Sequence, residues 1–338
     1  MKPAIILAGG IGQRLRPMTD HFPKPLARIA ERPLLEHVLH GLHAGGIDSA
    51  ALATGYKAGQ IEACFGRGEA AGIELRYILE NEPLGSGGAV RNVADRLPEL
   101  VRETFVVATA DVLHSVDFGA AFEFHRATGA LATIVCGRTE NPEGLGILEI
   151  EDDGRVARFH EKPAPGVTDS RWGNLALWIF EPAVLEYLAS GPSSIETELF
   201  PRLLELGLPL MAYRHPGYWL DVGTLPRYLQ AQTDALLGRF PRDLKLRGGD
   251  RMEVDPPVLI AADCEVAADA SLVNAVLGHG SRIEAGAQIR DSVLYAGAQI
   301  GSGASLQRCV VGPGYQVPAG SKWENTMLFE SIPGMPHE

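Results

Sequence analysis

The C-terminal part of the chain repeats with a fixed step. Asn274–Gly280 (NAVLGHG) aligns with Asp291–Gly297 (DSVLYAG) and with Arg308–Gly314 (RCVVGPG), a spacing of 17 residues. Within each period the large aliphatics step by six, six and five residues: Ile260, Val266, Leu272; Leu277, Ile283, Ile289; Leu294, Ile300, Leu306; Val311, Val317. Small residues fill the intervals. A unit this short cannot bury its own apolar side, so successive units must stack. One inward aliphatic on each of three flat faces describes a triangular β-helix. With about three coils it reads as an appended domain.

The chain ahead of the repeat has a different rhythm. Short apolar runs at Ala4–Leu7, Ser49–Ala53, Ile73–Leu79, Phe105–Ala108 and Ala132–Cys136 read as strands. Amphipathic stretches between them, such as Leu34–Ala44 and Gly88–Leu97, read as helices. The alternation predicts an α/β domain over 1–235: a Rossmann-like, mostly parallel sheet with helices on both faces. Residues 236–252 (LLGRFPRDLKLRGGDRM) lose the apolar pattern and read as a linker, with the β-helix over 253–338.

Composition narrows the function classes. The 338 residues carry a net charge of −12, which argues against a nucleic-acid polymer as partner. Cys64, Cys136, Cys264 and Cys309 lie far apart, without metal-ligand or CxxC spacing, which suits reduced thiols in a cytoplasmic protein. No apolar stretch is long enough to span a membrane, and Ala4–Ala8 is shorter than a signal-peptide core.

The chemistry concentrates in LAGGIGQRLRPMTDHFPKPL, Leu7–Leu26. Gly9, Gly10 and Gly12 follow a strand and let the main chain approach a phosphate closely. Backbone amides in such a loop, just before a helix, form an anion site. Arg14, Arg16 and Lys24 add cations, the arginines bidentate and the lysine a point charge. A P-loop would need Gly-Lys-Ser/Thr after Gly12, and a dinucleotide fingerprint a third glycine where Leu15 stands. Two carboxylates also occupy loop positions. Asp111 follows FVVATA, and Asp221 lies between GYWL and a glycine turn.

The glycine loop resembles the signature of the sugar-1-phosphate nucleotidylyltransferases. Further blocks follow in that family's order: ENEPLGSGGAV (Glu80–Val90), ATADVL (Ala108–Leu113), FHEKP (Phe159–Pro163), GNLALWIF (Gly173–Phe180), SSIETELFP (Ser193–Pro201) and GYWLDVGT (Gly217–Thr224). The repeat resembles the left-handed β-helix of the family's longer members, so the resemblance covers nearly the whole chain. It implies transfer of a nucleotidyl group from a nucleoside triphosphate to a sugar-1-phosphate, with pyrophosphate leaving and Mg²⁺ as cofactor. Both reactants are anionic, so cations must offset their repulsion.

The resemblance also implies roles. Asp111 and Asp221 hold the metal. Arg14 and Lys24 hold the triphosphate and brace the transition state, and Lys162 holds sugar-phosphate or α-phosphate oxygens. The nucleotide lies against Leu7, Ala8, Gly9, Gly10, Gly12, Glu80 and Gly85, and the sugar against Gly146, Glu161 and Asn174. Two departures crowd the sugar pocket: Asn174-Leu175-Ala176 replaces the family's Asn-Ala-Gly, and Leu145-Gly146 replaces Tyr-Gly. No side chain need act as a base, because a sugar phosphate is already ionised.

Glu80 is the residue expected to face the base edge. A carboxylate only accepts hydrogen bonds, and guanine offers two adjacent donors. The expectation is therefore GTP with mannose-1-phosphate. The alternatives are UTP or dTTP with glucose-1-phosphate, or a heptose-1-phosphate. Rivals from other classes are a hexapeptide acyltransferase using His279, the only histidine of the repeat, and a non-catalytic regulatory paralogue. The β-helix offers a route to a homo-oligomer.

Overall fold

Lys2–Ala8 can occupy the middle of a sheet because it is apolar on both faces: Ala4, Ile5 and Ile6 have no exposed surface. The computed structural model describes residues 2–239 and 248–332. In it this strand pairs in parallel with Ile47–Thr54 on one side and Phe105–Thr109 on the other. Glu74–Leu79 adds in parallel beside Ile47–Thr54. Trp172–Phe180 then runs antiparallel to Phe105–Thr109 and makes the rest of the sheet mixed. It pairs with Ala132–Arg138 and Gly146–Ile150, and Val156–Glu161 forms the edge beyond. Leu210–His215 lies parallel to Ala132–Arg138.

Helices Leu34–Ala44, Ala58–Phe65, Gly85–Arg96 and Phe118–Ala127 alternate with these strands. Under the mixed half, Trp178 and Phe180 stack at 6.3 Å and Phe200 meets Trp178 edge-on at 5.9 Å. No helix among the described residues is long and apolar enough to cross a membrane.

The expected helix after the glycine loop is not a full helix. Gln13–Leu15 is a single 3₁₀ turn, and Met18–His21 is four residues long. Pro17, Pro23 and Pro25 explain this, since each removes a backbone donor and fixes its own φ.

The 17-residue period is realised as three stacks of parallel strands. Their register joins Leu277 to Leu294, Leu294 to Val311 and Val311 to Leu328; Ile283 to Ile300 and Ile300 to Val317; Ile289 to Leu306. These side chains form one buried aliphatic cluster. Each coil turns a corner at a residue with positive φ: Asn274, Asp291, Arg308 and Asn325 recur at the repeat spacing. Asn and Asp tolerate that conformation better than most residues. Of the expected linker 236–252, residues 240–247 lie outside the described residues. Ahead of them the helix Leu225–Leu236 ends, and Arg251–Val254 already pairs antiparallel with Pro257–Ile260.

By contacts the chain divides into two compact units, Met1–Gly10 with Leu35–Asp221, and Ile11–Leu34 with Val222–Glu338. The second unit departs from the expected order along the chain. It groups the segment carrying Arg14 and Lys24 with the β-helix.

Candidate active site

In the first unit Leu7 to Gly10, Glu80 and Asp111 gather at the carboxyl ends of the parallel strands, where open α/β sheets bind ligands. Leu7 and Ala8 end the opening strand, and the Leu7 carbonyl accepts from Ala110 N–H at 3.0 Å. That bond ties the glycine turn to the residue before Asp111. Glu80 follows Glu74–Leu79 and anchors to Thr54 O through its backbone N–H at 2.7 Å. Its side chain folds over Gly9: a Cβ on Gly9 would lie 3.0 Å from Glu80 Oε2, so only glycine leaves the carboxylate its place. Burial raises the Glu80 pKa above the ordinary carboxylate value, and a hydrogen bond with the Leu84 backbone partly offsets this. Gly10 is exposed, with open space where a side chain would project.

Asp111 and Asp221 are brought together by a pairing too short to announce itself in the sequence. Trp219–Asp221 runs antiparallel to Val112–His114, with Asp221 opposite Val112, the residue next to Asp111. Ser115 N–H to Tyr218 O at 2.9 Å extends this ribbon. Two carboxylates on adjacent strand ends suit Mg²⁺, which takes one or two protein carboxylates and completes its shell with water and substrate phosphates.

The residues expected on the sugar side cluster on the neighbouring strands. Glu161 pairs with Gly146 across Val156–Glu161 and Gly146–Ile150. A Cβ on Gly146 would meet Phe159 at 2.6 Å and Glu161 Oε2 at 3.0 Å, so that glycine makes room for the carboxylate. Lys162 Nζ lies 2.8 Å from Glu161 Oε1, its backbone N–H donates to Leu145 O at 3.1 Å, and its φ is 45°. A non-glycine residue held there stores strain of the kind found at functional sites. Asn174 is buried, and its Oδ1 accepts from Ala176 N–H at 2.9 Å and Trp178 Nε1–H at 3.1 Å. Its amide NH₂ is thereby fixed in direction. Ala176 takes φ 52°, a value that the family's glycine would adopt without strain.

Gly85 has a different setting. A Cβ there would meet Ser193 O at 2.5 Å, and Gly87 and Gly88 donate to the same carbonyl at 2.9 and 3.2 Å. Those amides hold Ser193. Trp219, inside the GYWLDVGT block, covers Gly137 and Gly173 and donates through Nε1 to Arg138 O at 3.2 Å.

In the second unit Gly12 takes φ 72° and packs on Lys24, whose Cβ would be 3.2 Å from a side chain at Gly12. Thr19 Oγ1 donates to Gly12 O at 3.1 Å and holds the turn closed. Lys24 is largely buried and Arg14 exposed.

The nucleotidyl transferase family model matches residues 3–237 of this chain. The chain belongs to the sugar-1-phosphate nucleotidyltransferases. A GlmU-like C-terminal hexapeptide model matches residues 247–323. The nucleotidyltransferase is 34% identical over 301 residues to a Mycobacterium tuberculosis mannose-1-phosphate guanylyltransferase, covering 85% of this chain and 82% of that one. It is 30% identical over 334 residues to a UTP–glucose-1-phosphate uridylyltransferase of Synechocystis, covering 85% and 86%. The solved structure of HddC from Yersinia pseudotuberculosis complexed with GMP-PN superposes with a TM-score of 0.60 at 25% identity, over 70% of this chain and all of that one. Relatives of both nucleobase types match, so membership alone does not select the base.

Proposed function

We propose that this nucleotidyltransferase uses GTP and mannose-1-phosphate to make GDP-mannose. The observation that carries the base assignment is Glu80, whose carboxylate lies against the first loop glycine, Gly9. Guanine would present N1–H and its exocyclic amine to the two carboxylate oxygens. Uracil and thymine would set carbonyl oxygens against it. A relative named mannose-1-phosphate guanylyltransferase and a neighbour solved with GMP-PN support the same reading. UTP with glucose-1-phosphate is the second reading, favoured by the Synechocystis relative.

In the proposed reaction a mannose-1-phosphate oxygen attacks the α-phosphorus of GTP. The new P–O bond forms as the bond to the bridging oxygen breaks, and pyrophosphate leaves with that electron pair. Asp111 and Asp221 would hold Mg²⁺, which would supply charge neutralisation on the phosphates. Arg14 and Lys24 hold the triphosphate, and the loop amides from Gly9 to Gly12 cradle it. Lys162, its ammonium steered by Glu161, meets oxygens of the reacting phosphates, while Glu161, Asn174 and the Gly146 backbone orient the sugar hydroxyls. Catalysis is then positioning plus electrostatics.

The test is pyrophosphate release across five nucleoside triphosphates and several sugar-1-phosphates, including glucose- and heptose-1-phosphate. GTP is expected to exceed UTP and dTTP in kcat/KM by roughly 10²-fold, because a buried polar edge left unpaired is costly. Glu80→Gln should erode that ratio. Comparable kcat/KM for UTP or dTTP, or an intact preference in Glu80→Gln, overturns the assignment.

A further inference from the structure

One column of the β-helix breaks the rule of small residues. At the repeat spacing it reads Ala261, Gly278, Tyr295, Gly312, Phe329. A side chain at Gly278 would meet Leu294 O at 2.7 Å and Ala296 N at 2.8 Å, and one at Gly312 would meet the Phe329 ring at 2.5 Å. Two aromatics therefore stand where neighbouring coils carry glycine. Neither belongs to the aliphatic cluster that holds the coils together. Both pack instead on the segment Ile11–Leu34 of the same unit. The Tyr295 ring lies 5.2 Å from Phe22, and Phe329 lies 5.0 Å from His21 and 6.4 Å from Phe22. His21 Nε2 is 3.0 Å from Glu330 O.

The Tyr295 hydroxyl is fully accounted for. It accepts from Arg28 N–H at 3.1 Å, and it lies 3.1 Å from Tyr228 Oη and 3.4 Å from Met18 Sδ as donor targets. Tyr228 in turn donates to Arg28 O at 2.7 Å. Gln232 completes the grip, donating to Arg28 O at 2.6 Å and accepting from Ala30 N–H at 2.8 Å. The two phenols thus hold both backbone groups of Arg28, four residues after Lys24. Met18, beneath Tyr295, adjoins Thr19, which closes the Gly12 turn onto the Lys24 stem.

We propose that Tyr295 is a positioning residue for nucleotidyl transfer: from the β-helix it fixes the segment that presents Arg14 and Lys24 to the nucleoside triphosphate. The proposal rests on the assignment of those two cations to the triphosphate. It gives the β-helix a task in the reaction beyond that of an appendage. A buried hydroxyl that pins the N–H of a loop residue whose carbonyl is held by a second phenol raises the fraction of molecules in which the loop cations are correctly placed. Loosening the loop should weaken use of the triphosphate and leave the sugar-1-phosphate, held by other residues, unaffected.

The test compares full-length variants in steady-state kinetics and thermal melting. Tyr295→Phe keeps the ring against Phe22 and removes only the hydroxyl. It should lower kcat/KM for GTP about three- to tenfold, the worth of one or two buried hydrogen bonds. The KM for the sugar-1-phosphate should stay within about twofold of wild type. Tyr228→Phe should act in the same direction, and Tyr295→Ala more strongly. Ile300→Ala, which hollows the β-helix core away from this column, should lower the melting temperature and leave GTP kinetics unchanged. Wild-type GTP kinetics in Tyr295→Phe, or an equal loss in Ile300→Ala, overturns the proposal. A wild-type chain that releases no pyrophosphate overturns the functional reading instead. Arg14→Ala with wild-type kinetics overturns the role of the loop cations.

Discussion

The catalytic sheet and the β-helix both place non-glycine residues at positive φ, and they do so for different reasons. In the β-helix Asn274, Asp291, Arg308 and Asn325 recur once per coil. Their side chains tie one corner to the next: Asn274 Nδ2 donates to Asp291 Oδ1 at 2.9 Å, and Arg308 Nε to Asn325 Oδ1 at 2.7 Å. Elsewhere positive φ comes as isolated events: Ala30, Glu31, Lys57 and Asp263 lie outside the expected sugar site, and Lys162 and Ala176 lie beside it. A strained conformation that repeats with the fold is architecture. An isolated one beside a carboxylate and a lysine marks a place to test for function.

The sharpest contrast to test is in activity. Asp111→Asn and Asp221→Asn should each cut turnover by roughly 10²-fold or more, since the phosphate charges lose a compensating partner. Both variants should keep a wild-type melting profile, because the β-helix and the sheet core are untouched. Near-wild-type turnover at ordinary Mg²⁺ levels in either variant breaks the assignment.

A second, smaller difference concerns acid. The buried polar residues of the sheet include His114, which packs on Phe118 and faces Gly41. Burial, then the neighbouring charge of His215, lowers its pKa to about 3. Unfolded, the ring titrates near 6.5. Between those values the unfolded chain binds the extra proton, so stability falls as pH falls through that window. The loss is up to about 1.4 kcal/mol per pH unit for this one group. The aliphatic cluster of the β-helix contains no such group among the described residues. Denaturant midpoints between pH 7 and pH 4 should fall for the sheet first, and His114→Asn should flatten the slope. A pH-independent midpoint in the wild type contradicts this.

The smallest effect separates the two kinds of positive φ directly. Ala176→Gly should stabilise by about 0.5–1 kcal/mol, because an alanine there pays for a conformation that glycine adopts freely. Asn274→Gly should give no gain, since it deletes the bond to Asp291. Equal stabilisation in both, read from melting curves, would erase the distinction.

Legibility in the sequence followed the range of the interactions. The β-helix was visible because its contacts repeat at one spacing, and Leu277, Leu294 and Val311 stack as that spacing requires. The strands that carry Leu7 and lead to Glu80 and Asp111 were visible as apolar runs. The meeting of Asp111 with Asp221 rested on family blocks, since a three-residue strand has no periodicity to detect. The grip of Tyr295 on Arg28 spans 267 residues and left only a local trace, an aromatic in a column of glycines. The short 3₁₀ turn after Gly12 was misread because a glycine loop suggests a helix, while the prolines beyond it forbid one.

The fixed period of the β-helix has an evolutionary corollary. Insertions and deletions here are quantised: a change of one whole coil preserves every inward aliphatic, and a change of one residue turns the following faces inside out. Even a whole-coil insertion between Tyr295 and Phe329 would carry a cost. It would move Phe329 about 4.8 Å along the axis and away from His21. Natural relatives that have gained or lost a coil in this stretch should therefore show a compensating change at His21 or Phe22, in the loop rather than in the repeat.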